Sequence, residues 1–360
     1  MRTLRISIAK VIYFYSIIFL ISICTIEAQN NTLNIGNIKA DPGQKVSDSL
    51  YIEKGVDKET FIPITIINGV KEGPVLTLIA GIHGTEYVPI IVLQKLINEI
   101  DPKDLSGSMI IVHVASVESF QKRTMYFNPV DFKNVNRVFP GNKNGTQTER
   151  IAYTITHEII DKSDYLIDMH GGEENECFVN FALFYQNCPN FKVCEGSYLL
   201  ARSFGLEYLF VEDYNFIPDT LPSKYCELTA LRRGIPAIAL ELGGQGIIDE
   251  ELADLSVAGI INVMKAINMI EGNVKEFKPH KYLINYAEVY SKYQGVHYSE
   301  VSCGQIVSKG ELLGYTTDLF GNKLEELYSP ITGMVISAHC TPPVNVDEQI
   351  YWLAEISDNF

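Results

Sequence analysis

The chain has 360 residues, 46% of them hydrophobic and 20% charged, which is enough for one large domain and a small one. Its formal charge of −15 argues against a polyanionic nucleic acid as partner. Charge alone says nothing about fold.

Residues 1–28 read as an export signal. Arg2, Arg5 and Lys10 give a basic start, and Val11 to Ile23 is a mostly apolar run too short for a comfortable membrane span. Ile26-Glu27-Ala28 ends in a small residue, so cleavage is expected after Ala28, leaving the chain at −17. An uncleaved anchor is the alternative. A lipid-modified Cys24 is disfavoured by Ile23 before it. The protein is therefore expected to be exported, periplasmic or secreted, with no membrane span after cleavage. Six cysteines remain: Cys177, Cys188, Cys194, Cys226, Cys303 and Cys340. None forms a CxxC pair, which argues against a structural zinc knot. Export permits disulfides, and Cys188 and Cys194 are close enough to pair, but most of the six read as small buried thiols.

Residues 29–60 are polar and mixed, ending in an edge strand. Phe61 to Ile67 is β-branched and apolar, with Pro63 pointing to an edge position. Val75 to Ala80 is a near-continuous apolar run of the buried-strand type. Val88 to Ile100 has helical spacing, stopped by Asp101-Pro102, and Met109 to Ala115 is another β run. This order predicts an α/β sheet with parallel strands. Ile151 to Ile160 reads as a helix. Tyr165 to Asp168 and Pro236 to Leu240 read as buried strands, and 253–271 as an amphipathic helix. From about Tyr286 the texture changes to short strands and frequent glycines. The expected division is 1–28 signal, 29–280 catalytic domain, and 281–360 a small β domain shaping substrate access.

His83, His170 and Glu241 each fall where a predicted buried strand runs out. In open α/β sheets that edge binds ligands. His83 and Glu86 sit three residues apart in Gly81-Ile82-His83-Gly84-Thr85-Glu86, nearly one helical turn. Alone, such a pair is commonly a solvated surface feature. With His170 in Asp168-Met169-His170-Gly171-Gly172 it makes two imidazoles and a carboxylate, a common catalytic zinc set that leaves a position for water. Glu241 is placed as a partly desolvated general base, against the alternative of a buried ion pair. Asn136 and Arg137 offer an amide and a guanidinium for a substrate carboxylate, and Arg123 is a candidate for polarising a carbonyl. The other histidines lack ligand partners nearby.

These motifs together resemble the succinylglutamate desuccinylase/aspartoacylase family, relatives of the zinc carboxypeptidases, over about residues 60–350. His83, Glu86 and His170 match the family's zinc ligands. Asn136 and Arg137 match its NLNR-x-FPG segment, with Val135 where Leu is usual, and Glu241 in Glu241-Leu242-Gly243-Gly244 matches the catalytic glutamate. Arg123 and Asp131 fall where bacterial members carry an Arg and a P-x-D step. The resemblance implies an α/β fold with a zinc-carboxypeptidase-like mixed sheet flanked by helices, and a small C-terminal all-β domain of barrel-sandwich type. It implies one Zn2+ per chain and hydrolysis of a C–N amide bond in an N-acyl amino acid or related small amide. A carboxypeptidase-like peptidase acting on short peptides, or a non-catalytic binding protein on this scaffold, are the alternatives. The family's substrate-gripping Arg and Tyr are not fixed: Arg232 or Arg233, and Tyr286, Tyr290, Tyr293 or Tyr298, stand in the right neighbourhoods. Gly310 to Gly314 and Tyr328 to Gly333 are similar to lipoyl-carrier hairpins, but Lys323 lacks the flanking pattern of a carrier lysine.

Overall fold

A computed structural model describes residues 30–218, 220–277 and 280–360. The export signal expected at 1–28 lies outside the described residues.

The chain opens with a hairpin, β1 (Leu33–Ile35) and β2 (Ile38–Ala40), then β3 (Gln44–Ile52), β4 (Thr60–Asn68) and β5 (Lys71–Ile79). Next come α1 (Tyr87–Glu99), β6 (Ser106–Val112), α2 (Val117–Lys122) and α3 (Gln147–Thr154). The helix predicted at 151–160 thus starts earlier, at Gln147, and continues past α3 through a π turn at Ile155–Ile159 and a 3-10 turn at Ile160–Lys162. β7 (Tyr165–His170), β8 (Glu176–Phe178), β9 (Phe181–Gln186), α4 (Phe191–Phe204), β10 (Tyr208–Asp213), α5 (Cys226–Arg232), β11 (Ala237–Glu241) and α6 (Glu250–Ala266) follow. Seven strands come next, β12 (Lys281–Tyr290), β13 (Gly295–Ser299), β14 (Ile306–Val307), β15 (Leu312–Thr317), β16 (Lys323–Tyr328), β17 (Gly333–His339) and β18 (Pro343–Val344). β19 (Gln349–Ser357) is last.

The central sheet runs β14-β17-β19-β12-β10-β9-β11-β7-β5-β6-β4-β3, with β8 also pairing β17. Strands β6, β5, β7 and β11 are parallel, as the alternating strand and helix pattern predicts. β9 then enters antiparallel to β11, and β3 and β4 are antiparallel too, so the sheet is mixed. Pro63 is not on an edge strand: β4 lies between β3 and β6. Its carbonyl accepts from His113 N (3.0 Å), just past the last residue of β6, so its missing N–H points where the neighbouring strand has ended.

Helices α1, α4 and α6 cover one face, burying Leu93, Leu96, Leu200, Phe204 and Ile260. Helices α3 and α5 cover the other with Ile151, Ala152, Leu228 and Leu231. Both strand faces are buried, which is why β5, β7 and β11 read as continuous apolar runs. α3 starts on a capping box, Thr146 with Glu149, and α6 on Asp249, whose carboxylate accepts from Leu252 N (2.9 Å).

The C-terminal strands extend the central sheet. β12 pairs parallel to β10 and antiparallel to β19. A separate four-stranded sheet, β16-β15-β13-β18, packs over β17 and β19 around Leu313, Val335 and Tyr351. The cysteines correct the sequence reading. Four of the six form disulfides, Cys188–Cys194 and Cys177–Cys303, and Cys226 is the buried thiol expected, while Cys340 is exposed. The second bridge joins β8 to the turn before β14 across 126 residues, a pairing that spacing cannot reveal.

Candidate metal centre and substrate cavity

β5 ends at Ile79, and the backbone turns sharply at Gly81, where φ is +67°. A Cβ on Gly81 would lie 2.9 Å from Val114 Cα, and one on Gly84 would lie 2.2 Å from Thr124 O, so both positions need glycine. This tight loop delivers His83 and then Glu86, the residue just before α1. His170 is the last residue of β7, and Glu241, the last of β11, is its register partner. Parallel pairing of two buried strands thus sets the second imidazole beside the proposed base.

His83, Glu86 and His170 offer ligand atoms that all lie within 4.8 Å of one another. His83 Nδ1 is 2.6 Å from Glu86 Oε1, and His170 Nδ1 is 3.0 Å from Glu86 Oε2. All three side chains are buried. The outer nitrogens are held as well. His83 Nε2 donates to Asn134 Oδ1 (3.1 Å), and His170 Nε2 donates to Asp168 Oδ2 (3.1 Å). Each imidazole is therefore fixed so that Nδ1 faces the shared point, the arrangement that orients histidine ligands in metal sites. Two nitrogens and a carboxylate at this spacing fit a divalent first-row ion.

The electrostatics agree. Burial pushes the Glu86 carboxyl upward, but His83 and His170 outweigh it and hold the pKa at about 2. Glu241 is raised well above the carboxylate range, first by burial and then by Glu86 and Glu176, although His170 pulls the other way. Glu173 is pushed up to about 9 by burial and by Glu86. It is fully buried, accepts from Thr85 Oγ1, and leaves Oε1 without a hydrogen-bond partner, 3.7 Å from His83 Nδ1.

Asn136 and Arg137 occupy a 3-10 turn, Val135–Arg137, capped by Asn134 Oδ1, which accepts from Asn136 N (2.7 Å). Cys226 N donates to Asn136 Oδ1 (2.9 Å), which leaves the Asn136 amide nitrogen 3.2 Å from His170 Nε2. The Arg137 guanidinium donates to Asn136 O (2.7 Å) and lies over the Tyr225 ring at 4.9 Å. Arg123 is elsewhere: exposed, left-handed at φ +55°, ending α2, and absent from the cavity wall. The structure thus brings together His83, Glu86, His170, Glu241, Asn136 and Arg137, and leaves Arg123 apart.

These residues line a cavity of about 830 Å³. Tyr286 and Tyr290 of β12 and Trp352 of β19 form part of its wall; Tyr293 and Tyr298 do not. Arg232 is at the wall and donates to the carbonyls of Pro218 and Leu221, while Arg233 pairs with Asp161. Sequence reasoning missed Asp168, Asn134 and Glu173. Asp168 had a signal: it is two residues before His170 on one strand, hence on the same face. Asn134 and Glu173 had none.

The family model described as succinylglutamate desuccinylase/aspartoacylase catalytic domain matches residues 72–267. The N-alpha-acetyl-L-2,4-diaminobutyric acid deacetylase of Halomonas elongata is 28% identical over 313 residues, 83% of this chain and 87% of the relative. The fold is similar to the product-bound ectoine utilization protein EutE (DoeB) from Ruegeria pomeroyi, with a TM-score of 0.79 and 22% identity over 91% of this chain and 99% of that one. It is also similar to a succinylglutamate desuccinylase/aspartoacylase from Rhodobacter sphaeroides, with a TM-score of 0.77 and 22% identity over 91% and 100% of the two chains.

Proposed function

The chain belongs to the succinylglutamate desuccinylase/aspartoacylase family, and on that premise we propose that it is an exported zinc-dependent hydrolase that removes the acyl group from an N-acyl amino acid. The observation that carries this reading is the convergence of His83, Glu86 and His170 with Glu241 paired beside His170. Zinc in such a ligand set acidifies water to a pKa of about 7 and withdraws electron density from a carbonyl oxygen.

The protein's own groups supply the rest. Glu241 takes the proton from the attacking water, and the burial that raises its basicity fits it to return that proton to the leaving amine. The Arg137 guanidinium anchors the substrate carboxylate, oriented by Tyr225 and Asn136 O. The Asn136 amide nitrogen lies beside the outer nitrogen of His170, and Asn136 lines the same cavity, where it would contribute a donor to substrate binding. No contact supports the role expected of Arg123; a zinc ion held by His83, Glu86 and His170 would supply the polarisation of the carbonyl. The cavity of about 830 Å³, walled on one side by C-terminal strands, suits a small amide. The H. elongata relative is named for a substrate of this class. Two disulfides favour an oxidising compartment, in keeping with the export signal read at 1–28.

The test is amine release from a panel of N-acyl amino acids and short peptides, with metal content measured on the same protein. Release from N-acyl amino acids that is lost in Glu241→Gln, with about one zinc per chain in both, supports the reading. Release from peptides alone makes the protein a peptidase, and silence with no bound zinc removes the enzyme reading.

A further inference from the structure

Next to the catalytic cavity lies a second one, of about 680 Å³, that the chemistry above does not use. Part of its wall is one face of α6, where Leu252, Ser256, Gly259 and Asn262 recur at helical spacing. The rest is the end of α4 and the start of β10, from Phe204 to Tyr208, with the loop from Phe178 to Asn180 and the side chains of Lys275 and Phe277. Among the described residues, Phe178 alone is common to the two cavity walls. A Cβ on Gly205 would lie 2.2 Å from the Phe277 ring, and one on Gly259 would lie 2.6 Å from Phe204 O, so glycine lets these walls close up. The buried Asn262 donates to Ser203 O (2.8 Å) and Lys275 O (3.1 Å) and accepts from Lys275 N (2.7 Å), which ties the segment carrying Lys275 and Phe277 to α6.

Two features point to the occupant. Ser256, in the middle of α6, is 1% exposed, and its Oγ has no hydrogen-bond partner, not even the carbonyl one turn back that a helical serine commonly takes. A buried hydroxyl left unpaired is costly unless a polar atom reaches it. The second feature is charge. Lys265 and Lys275 stand on this wall, with Glu207 as the one carboxylate beside them. Neither ammonium is ion-paired among the described residues; that of Lys275 lies 5.0 Å from the centre of the Phe277 ring. The catalytic cavity is the reverse: nine carboxylates, Glu212 and Glu227 among them, stand against three cationic side chains, Arg137, Lys224 and Arg232. In a chain of formal charge −15, a cavity with cations in excess selects for an anion. Its remaining wall is largely apolar, and Leu255, 63% exposed, is free to cover a nonpolar ligand.

We propose that this cavity is a second binding site, for an amphipathic organic acid: an acidic group drawn to Lys265 and Lys275, an apolar body along α6, and a hydrogen-bonding atom in that body meeting Ser256 Oγ. Neither the metal triad nor Glu241 is on its wall, so its ligand is separate from the amide substrate, and the proposal stands independently of the deacylase reading.

The probe is anilinonaphthalene sulfonate, whose fluorescence rises in an apolar cavity and which carries a sulfonate and a bridging N–H. N-phenylnaphthylamine has the same rings and N–H without the sulfonate. In titrations of the folded protein the sulfonate dye is expected to bind at least about tenfold more tightly. Lys265→Met with Lys275→Met should erase most of that preference and leave the neutral dye unchanged, and Ser256→Ala should weaken both dyes alike. Ala258→Trp, at an exposed position on the cavity wall, should exclude both, with thermal melts confirming that the fold is kept. Decanoate should displace the sulfonate dye, and decylammonium should not. Equal binding of the two dyes, a preference that survives the double lysine substitution, or equal displacement by decanoate and decylammonium overturns the proposal. Binding that needs added zinc, or that Ala258→Trp leaves unchanged, overturns it too, because either result places the dye outside this cavity.

Discussion

Asp168→Asn tests whether the metal triad is tuned from behind. Asp168 is wholly buried, its Oδ2 accepts from His170 Nε2 at 3.1 Å, and its Oδ1 has no partner. Asparagine keeps the volume. Its carbonyl can turn to the imidazole, and its NH2 then replaces an oxygen that was already unpaired. What is lost is the charge in the bond. A hydrogen bond to a charged group contributes roughly 1.5–3 kcal/mol, about twice a neutral one. The expected loss is therefore about 1–1.5 kcal/mol, or on the order of tenfold in zinc affinity. Asp168→Ala removes the acceptor altogether and should approach the hundredfold end of the roughly 10–100-fold range for outer-shell partners. The assay is competition for zinc with a chromophoric chelator at constant pH, beside thermal melts of the metal-free proteins. An Asn variant within twofold of the unsubstituted protein, or Ala and Asn variants that are equal, would refute the reasoning.

Glu241→Gln should keep its zinc and lose about 10²–10⁴-fold in kcat, read by amine release and metal analysis on one sample. Arg137→Lys keeps the charge but loses the planar fork, so KM for a carboxylate-bearing amide should rise several-fold with kcat little changed, as initial rates across substrate concentration would reveal. Asp131 accepts from Thr148 N (3.0 Å) and Thr148 Oγ1 (2.6 Å) at the start of α3, and Asp131→Ala should lower stability by about 1–3 kcal/mol in urea unfolding. Burial pushes the Asp131 carboxyl upward, but the Thr148 bonds hold it below its ordinary value. The folded-state pKa is thus depressed, so this contribution is complete above about pH 4 and fades as pH falls through the folded value, a slope absent in Asp131→Ala. Removing Cys177–Cys303 by paired Ser substitution should cost up to about 5 kcal/mol on the chain-entropy estimate for its long loop, against roughly 2 kcal/mol for Cys188–Cys194; comparable losses in denaturant melts would count against that account.

What was readable in the sequence was what period and burial encode. β5, β7 and β11 are buried on both faces, so their apolar runs marked the strand ends that carry His83, His170 and Glu241. What escaped was set by pairing between distant segments. Nothing in Phe181 to Gln186 says that β9 lies between β11 and β10, antiparallel to the first and parallel to the second. Cys177 and Cys303 are 126 residues apart, and only the fold brings them together. Glu227 follows Cys226 in a short helix with no motif around it, and its position on the cavity wall depends on the packing of α5 against β7 and β11. Arg123 was chosen for its guanidinium and for standing where bacterial members of the family carry an Arg. It caps the end of α2 in the left-handed region, exposed and off the cavity wall.

The hydrogen-bonded join between β10 and β12 also bears on engineering. Tyr286 and Trp352 belong to the same sheet as His170, so the specificity wall and the chemical wall form one continuous surface. Grafting the C-terminal segment of a relative at residue 280 would put a foreign strand against Leu209 and Phe210 and disturb the register that places Glu212. A chimera that exchanges β9, β10, β12 and β19 together would move the recognition surface as a unit. Truncation before β12 would instead bare the edge of a long apolar sheet, and aggregation rather than a smaller active enzyme is the expected product.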